Sequence, residues 1–262
     1  MNKIFMLIVL VVLPVTVFSA MHKDEISYQH GNVELKSYLF WDDAFDGKRP
    51  AVMVFHERWG MNDYVLLRAE MLAEAGYIAL AVDMYGDGRR TRDVDEADKW
   101  MKQLTGNKNL WQQRVLSSYK KLLKVNGVDA TKVAAVGYSF GGSTALQLAY
   151  SGTDISGVIS VHGNFPPVTS NQAKNIKAKV LVLHGGSDDL VPKKNIEEFS
   201  TALTSAETDW EMNVYGGAMK SFSNPYASGY GLEGVEFNEL AEQRSWARTL
   251  SFLEELFTGD DF

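Results

Sequence analysis

The chain has 262 residues, of which 45% are hydrophobic and 23% are charged, and its formal net charge at pH 7 is −7. This is the composition of a globular protein with a sizeable core, and the acidic balance argues against a nucleic-acid partner. The absence of cysteine excludes disulfides, thiolate metal ligands and a cysteine nucleophile. No HExxH helix or acidic calcium loop is present either, so we expect neither a metal nor a cofactor.

The N-terminal segment differs from the rest of the chain. A lysine near the start is followed by a mostly apolar run over residues 4–17 and by the small pair Ser19 and Ala20. This layout is typical of a secretory signal peptide, and the run is shorter than the ~20 residues that a membrane span needs. We predict a cleaved signal peptide over residues 1–20 and a single domain over residues 21–262. The expected location is periplasmic or secreted, without stable membrane association; the alternative is an uncleaved anchor.

Strand-like and helix-like segments alternate through the remaining chain. In order, the predicted strands are PAVMVFH (50–56), YIALAVDMYG (77–86), KVAAVGY (132–138), GVISVHG (157–163), KVLVLHG (179–185) and WEMNVYGGA (210–218). The predicted helices are DYVLLRAEMLAEAG (63–76), VDEADKWMKQL (94–104), LWQQRVLSSYKKLLKV (110–125), KKNIEEFSTAL (193–203) and the long terminal segment 236–257. Apolar strands alternating with amphipathic helices predict a mostly parallel sheet covered by helices on both faces.

Ligands of such folds bind beyond the carboxyl ends of the strands, where the sequence places a candidate nucleophile. Residues 137–141, GYSFG, match the pattern G-x-S-x-G between a strand and a helix. The glycines let strand and helix cross closely, and the helix that starts at Phe140 points its positive end at a developing oxyanion. Ser139 is therefore the predicted nucleophile. Asp188 follows a later apolar strand, where the acid of such a site belongs, with Asp189 as the neighbouring candidate.

Four stretches in this order resemble the dienelactone hydrolase family: VFHERWGMNDYVLLRAEMLAEAGYIALAVDMYGDG, VGYSFGGSTALQLA, LHGGSDDLVP and YGGAMKSFSNPYA. The resemblance runs over nearly the whole mature chain and implies an α/β-hydrolase fold that hydrolyses a carboxylic ester or lactone. It implies Ser139 as nucleophile and Asp188 as acid. It also implies an oxyanion hole from the backbone N–H groups of Arg58 and Phe140, and Glu57 falls on a family glutamate beside the nucleophile.

The sequence departs from the family pattern at three positions. The nucleophile is Ser139, where the family most often has cysteine. Arg58 replaces a tryptophan or aliphatic residue and places a cation at the mouth of the site. Lys220 stands where the family has its histidine, in YGGAMKSF, and no histidine follows Asp188 in the chain. Glu57 is expected behind the reacting atoms, with Arg58 or Lys220 as its charge partner.

Three hypotheses for the missing base follow from these departures. In the first, Lys220 is the base, although its pKa would have to fall by ~3 units from ~10.4 and Asp188 would hold it charged. In the second, His56 next to the oxyanion loop substitutes, with His162 and His184 as weaker candidates. In the third, the protein keeps the fold and pocket but has lost most turnover, and the pocket binds a small ester or carboxylate.

The function predicted from the sequence is a hydrolase that cleaves a small-molecule ester or lactone through an acyl-serine. The catalytic candidates are Ser139, Asp188 and Lys220, and His56 and Glu57 are expected to support them. The alternative is a weak or inactive hydrolase that only binds its ligand. Residues 87–110, which are polar and helix-prone, are expected to overhang the pocket as a lid.

Overall fold

A computed structural model describes residues 20–259, and nearly all of the predicted signal peptide lies outside this part of the chain. The strands are β1 (Met21–His30), β2 (Val33–Asp42), β3 (Arg49–Phe55), β4 (Ile78–Val82), β5 (Val128–Tyr138), β6 (Gly157–Val161), β7 (Lys179–Gly185) and β8 (Trp210–Tyr215). The helices are α1 (Asp63–Glu74), α2 (Val94–Thr105), α3 (Lys108–Leu122), α4 (Phe140–Tyr150), α5 (Ser170–Lys174), α6 (Lys193–Ser205) and α7 (Glu239–Thr258), with a 3₁₀ turn at Ala227–Tyr230.

The strands form one sheet in the order β1-β2-β4-β3-β5-β6-β7-β8. The run from β4 to β8 is parallel, whereas β1–β2 and β2–β4 are antiparallel. Apolar side chains of α1 and α7 pack on one face, and those of α3, α4 and α6 pack on the other. The predicted fold, a mostly parallel sheet with helices on both faces, is confirmed. Within residues 20–259, no helix combines the length and the apolar character that crossing a bilayer requires.

The β1–β2 hairpin was not anticipated from the sequence. Its two ten-residue strands pair along their whole length, from Met21 opposite Asp42 to His30 opposite Val33. Residues of β1 are only partly buried or exposed, because β1 lies at the edge of the sheet. An edge strand needs no continuous apolar run, so MHKDEISYQH carries little of the pattern that marks the central strands.

The predicted nucleophile turn adopts a strained backbone. Ser139 has φ 54° and ψ −112° at the start of α4, a backbone conformation that residues other than glycine seldom adopt. A Cβ on Gly137 would lie 1.9 Å from the carbonyl oxygen of Gly141, and one on Gly141 would lie 2.1 Å from that of Phe55. The crossing of strand and helix therefore excludes any side chain at these two glycines.

We expect Gly141→Ala to destabilise the protein by at least about 3 kcal/mol, because the methyl group has only backbone atoms to displace. Gly229→Ala is the matched control, since its Cβ would meet no atom within 4 Å, and its effect should stay below about 0.5 kcal/mol. Urea unfolding of both variants measures the difference. Equal stability of the two variants would contradict the close packing described for the turn.

Candidate active site

The carboxyl edge of the sheet gathers the three residues expected to react. Ser139 follows β5, Asp188 lies in the loop after β7, and Lys220 lies in the loop after β8. Strand β6 lies between β5 and β7, and β7 pairs with β8, so all three segments leave the same edge of one continuous set of parallel strands. Asp188 and Lys220 are each only 6% exposed, whereas Ser139 is half-buried. The nucleophile is thus accessible to a substrate, and the charged pair behind it is enclosed.

Lys220 forms a buried ion pair with Asp188. The distance from Lys220 Nζ to Asp188 Oδ2 is 3.5 Å, and Nζ also donates a hydrogen bond of 2.9 Å to Asn164 Oδ1. Burial lowers the pKa of the Lys220 amine to about 8, although the charges of Asp188 and Glu57 act in the opposite direction. Loss of hydration therefore outweighs the carboxylates, and neutral amine becomes accessible in mildly alkaline solution.

The Ser139 hydroxyl has no base in direct contact within residues 20–259. No hydrogen bond joins its Oγ to another side chain of this part of the chain, whereas its backbone N–H donates to Val161 O at 2.9 Å and to His162 Nδ1 at 3.1 Å. Lys220 lies in the loop after β8, and its ammonium contacts Asp188 and Asn164. Proton transfer from Ser139 to Lys220 therefore requires a shift of the amine away from these partners.

His56 is occupied by backbone hydrogen bonds. Its Nδ1 donates to the carbonyl oxygen of Glu57 at 2.5 Å, and its Nε2 accepts from the N–H of Met84 at 3.3 Å. Burial lowers the pKa of His56. Since both ring nitrogens are used, His56 has no free position to take a proton from Ser139, and the hypothesis that it substitutes as base has no geometric support.

His184 is close enough to Asp188 and Lys220 for both charges to act on it. Its Nδ1 has no hydrogen-bond partner within the described chain, and its ring packs edge-on against Phe165 with the ring centroids 6.0 Å apart. Burial lowers the pKa of His184, against the opposing effect of Asp188. His184 is therefore a buried histidine that packs at the end of β7, just before the loop that carries Asp188.

Glu57 does not take the charge partner that was expected for it. Its Oε1 accepts a hydrogen bond of 2.8 Å from Ser221 Oγ, and its Oε2 accepts one of 2.6 Å from Asn224 Nδ2. Burial raises the pKa of Glu57, while the charges of Lys220 and Arg58 lower it to a smaller extent. The carboxylate is thus held by two neutral donors that follow Lys220 in the chain, and Ser221 adopts a positive φ of 58° to place its hydroxyl.

The side chain of Arg58 is paired with a carboxylate on α2. Its guanidinium forms an ion pair of 2.6 Å with Asp98 on α2 and lies 5.6 Å from the ring centroid of Trp59. The cation that the sequence predicts at the mouth of the site is therefore neutralised in part by Asp98. The segment expected to be a lid contains α2, and the Arg58–Asp98 pair attaches that helix to the loop after β3.

The backbone N–H groups of Arg58 and Phe140 remain available for an oxyanion. Phe140 is the first residue of α4, where an N–H has no acceptor inside the helix. The N–H of Arg58 takes part in no backbone hydrogen bond of the described chain, and its carbonyl accepts from the Tyr85 hydroxyl at 3.2 Å. These two loops therefore supply donors of the kind that stabilise a tetrahedral intermediate.

Three residues that contact this charged cluster had no signal in the sequence: Asn164, Ser221 and Asn224. Ser221 and Asn224 lie within the stretch KSFSN, but nothing in that pattern shows that both side chains turn back to Glu57. Asn164 follows β6 and reaches Lys220 across the site. Only the three-dimensional placement of loops that are distant in sequence brings these groups together.

A cavity of about 730 Å³ opens on the same edge of the sheet. Its lining includes Asn62, Arg90, Thr91, Arg92, Tyr226 and Tyr230. Trp59 stacks on Tyr230 with the ring centroids 3.9 Å apart, and Ser139, Asp188 and Lys220 do not line the cavity. The cavity is thus lined by residues other than the three that are expected to react. Over residues 20–259, no group of three His, Asp or Glu side chains is placed to hold a metal ion.

The fold and the serine turn define the class of protein, an α/β hydrolase. Residues 35–257 match the model of the Dienelactone hydrolase family, and this chain belongs to that family. The match covers all elements of the site from β3 to α7. Family membership makes the protein a hydrolase.

Two solved structures are similar over nearly their whole length. One, named m3DLH, is 36% identical, with a TM-score of 0.88 and coverage of 91% of this chain and 99% of the other. A second is a dienelactone hydrolase-like promiscuous phosphotriesterase from metagenomic libraries, named P91. It is 33% identical, with a TM-score of 0.88 and coverage of 90% and 99%. A Yersinia pestis protein named "Putative carboxymethylenebutenolidase" is 26% identical over 243 residues, which are 88% of this chain and 87% of the relative.

We expect Glu57→Gln to raise the free energy of unfolding at pH 8 by on the order of 1 kcal/mol, with little change at pH 4. Burial raises the pKa of Glu57 in the folded protein, so above the unfolded pKa of about 4.3 the unfolded state ionises more readily and gains stability. Glutamine keeps both hydrogen bonds, since its oxygen accepts from Asn224 and its amide donates to Ser221.

Urea unfolding at the two pH values measures this difference. The exposed Glu233 provides the control variant Glu233→Gln. Its free energy of unfolding, relative to the parent, should be the same at pH 4 and pH 8. A Glu57→Gln variant that is less stable at pH 8 than at pH 4, relative to the parent, would show that the carboxylate stabilises the fold.

Proposed function

We propose that the protein hydrolyses a small carboxylic ester or lactone through an acyl intermediate on Ser139, with Lys220 as the general base. The observation that carries the proposal is the burial of Lys220 beside Asp188, which lowers the pKa of the amine to about 8. A neutral amine at that position can accept the Ser139 proton, as in known serine–lysine pairs. Family membership supports the ester or lactone as substrate class.

The proposed reaction uses these groups in two successive acyl transfers. Lys220 Nζ, once neutral, takes the proton of the Ser139 hydroxyl as Oγ attacks the substrate carbonyl carbon. The carbonyl oxygen becomes an oxyanion and accepts hydrogen bonds from the N–H groups of Arg58 and Phe140. The C–O bond to the alcohol then breaks, and the Lys220 ammonium gives its proton to the departing oxygen. Water attacks the acyl-serine in the same way and releases the acid.

Asp188 holds the ammonium that forms during this cycle. The 3.5 Å pair stabilises charged Lys220 after each proton transfer, and the hydrogen bond to Asn164 fixes its direction. The same contacts slow the first step, because the resting ammonium must lose its proton and leave Asn164 before it can act. We therefore expect a slow hydrolase whose rate depends on the protonation of Lys220.

The second candidate is a protein that binds an ester or carboxylate without turnover. The contact that favours it is the same ion pair, in which Lys220 and Asp188 are bound to each other. Ser139 Oγ, in contrast, makes no hydrogen bond within residues 20–259. In this case Ser139 would be acylated once, or not at all, and the ligand would remain bound. The two candidates differ in one observable, the dependence of turnover on Lys220.

We also propose that the protein acts after export. The support is the apolar N-terminal segment with its terminal Ser19 and Ala20. N-terminal sequencing of the protein from an expressing bacterial host should give a chain that starts at residue 20 or 21. A chain that begins at Met1 would contradict the proposal.

We expect the rate of p-nitrophenyl acetate hydrolysis to rise about tenfold per pH unit below pH 8 and to level off above it, because the fraction of neutral Lys220 increases with pH through its pKa of about 8. Ser139→Ala should abolish the reaction, and its residual rate serves as the blank for hydroxide. Lys220→Met should remove the rise. Lys220→His should increase the rate and move the rise towards pH ~6.5, the ordinary histidine range.

Stopped-flow and steady-state measurements from pH 6 to pH 10 distinguish the candidates. If Lys220→Met keeps the parent's rate and pH profile, Lys220 is not the base. If the parent shows a single burst or no reaction while Lys220→His turns over, the protein is the second candidate, which binds its ligand without turnover. Circular dichroism confirms that each variant is folded.

A further inference from the structure

His162 connects the nucleophile turn to the loop that carries Lys220. It follows β6 directly and is fully buried. One ring nitrogen, Nδ1, accepts a hydrogen bond of 3.1 Å from the backbone N–H of Ser139. The other, Nε2, lies 2.8 Å from Ser223 Oγ, and Ser223 is three residues beyond Lys220.

These contacts fix the protonation of the ring. A backbone N–H can only donate, so Nδ1 of His162 is the acceptor and carries no proton. The proton of the neutral ring is therefore on Nε2, which donates to Ser223 Oγ. Burial, aided by the charge of Lys220, lowers the pKa of His162 well below its usual value, in agreement with a ring that stays neutral.

The far end of this connection is anchored in the core. Ser223 Oγ lies 2.6 Å from the Tyr64 hydroxyl, and the carbonyl of Ser223 accepts a hydrogen bond of 2.8 Å from Arg68. Arg68 is only 3% exposed and pairs with Glu242 at 2.8 Å. Ser223 is thus held by α1, and α1 is held by α7, so the His162 ring reaches from Ser139 to a rigid support.

His162 adopts an unusual backbone to make both contacts. Its φ of 39° lies near the left-handed region, which residues other than glycine seldom occupy. Its ring packs edge-on against Phe222 with the ring centroids 5.1 Å apart, which limits its rotation. A histidine that only filled space would not need two directed hydrogen bonds to segments 61 and 23 residues away in sequence.

We propose that His162 is a positioning residue, which sets the distance and direction between the Ser139 nucleophile and the Lys220 base through its hydrogen bonds to the Ser139 N–H and the Ser223 hydroxyl. This role rests on the function proposed above. His162 does not exchange a proton with substrate; it holds the turn and the loop in register, so that the Lys220 amine can reach Ser139 Oγ once it leaves Asp188 and Asn164. A displacement of about 1 Å between two reacting groups can cost a factor of 10² in rate.

The test separates the two hydrogen bonds of Ser223. Ser223→Ala removes the acceptor of His162 Nε2, and Tyr64→Phe removes the other hydroxyl that contacts Ser223 while it leaves the His162 contact intact. We expect Ser223→Ala to lower kcat for p-nitrophenyl acetate at least about tenfold with KM unchanged, because the loop shifts relative to Ser139. Tyr64→Phe should keep kcat within about threefold. His162→Asn, which tolerates a positive φ, should lower kcat at least as much as Ser223→Ala.

Hydrogen exchange followed by mass spectrometry gives a second reading that needs no activity. In Ser223→Ala, the peptide that contains residues 137–143 should exchange faster, although the substitution lies in a different loop. In Tyr64→Phe, faster exchange should be confined to α1, because the hydrogen bond from Arg68 still holds the Ser223 carbonyl. Thermal melting of all variants verifies that they fold, and His162→Asn replaces Ser223→Ala if the latter does not.

Two results would overturn the proposal. The first is a Ser223→Ala variant that keeps both the kcat and the exchange rate of residues 137–143. The second is equal loss of kcat in Ser223→Ala and Tyr64→Phe, which would mean general loosening of the core. If the parent has no turnover at all, the function proposed above fails, and the exchange of residues 137–143 alone decides whether His162 couples the two segments.

Discussion

Lys220 Nζ and Asp188 Oδ2 lie 3.5 Å apart, and neither side chain is more than 7% exposed. In water such a pair would keep the amine charged far above neutral pH, but removal of its hydration costs several kcal/mol per ion. Here the cost of dehydration exceeds the attraction of the carboxylates, and the pKa of Lys220 falls to about 8. The reaction proposed for Ser139 depends on this balance, since no base touches its hydroxyl within the described chain.

Two further charged groups act on the Lys220 amine. Glu57 is a second carboxylate, and two neutral donors, Ser221 and Asn224, hold it in place. Arg58 is a second cation, and its guanidinium pairs with Asp98 on α2. Each of these charges has its own partner, and Lys220 remains the central charge of the site. The oxyanion donors of the same loops are left unused by the protein.

Much of the fold could be predicted from the sequence, because the buried parallel strands are short apolar runs and every helix except the five-residue α5 has a recognisable pattern. The β1–β2 hairpin could not, since a polar edge strand has no apolar run. In the candidate site, the spacing around Ser139 and the position of Asp188 carry a physical signal. The direction of the Lys220 pKa shift does not, because the sequence shows that Asp188 is present but not how deeply the amine is buried. The pairing of Arg58 likewise depends on α2, whose Asp98 is 40 residues away from it along the chain.

The backbone of the site has a consequence for how the protein responds to heat. Ser139, His162 and Ser221 all have positive φ values, of 54°, 39° and 58°, and such conformations cost of order 1–3 kcal/mol each. The surrounding sheet and helices impose these conformations, so the site relaxes as soon as that support weakens. Loss of competence on warming should therefore begin below the melting temperature of the sheet, as a local event at the carboxyl edge. The sheet and its helices are consequently expected to stay folded at temperatures at which the backbone of the site has already relaxed.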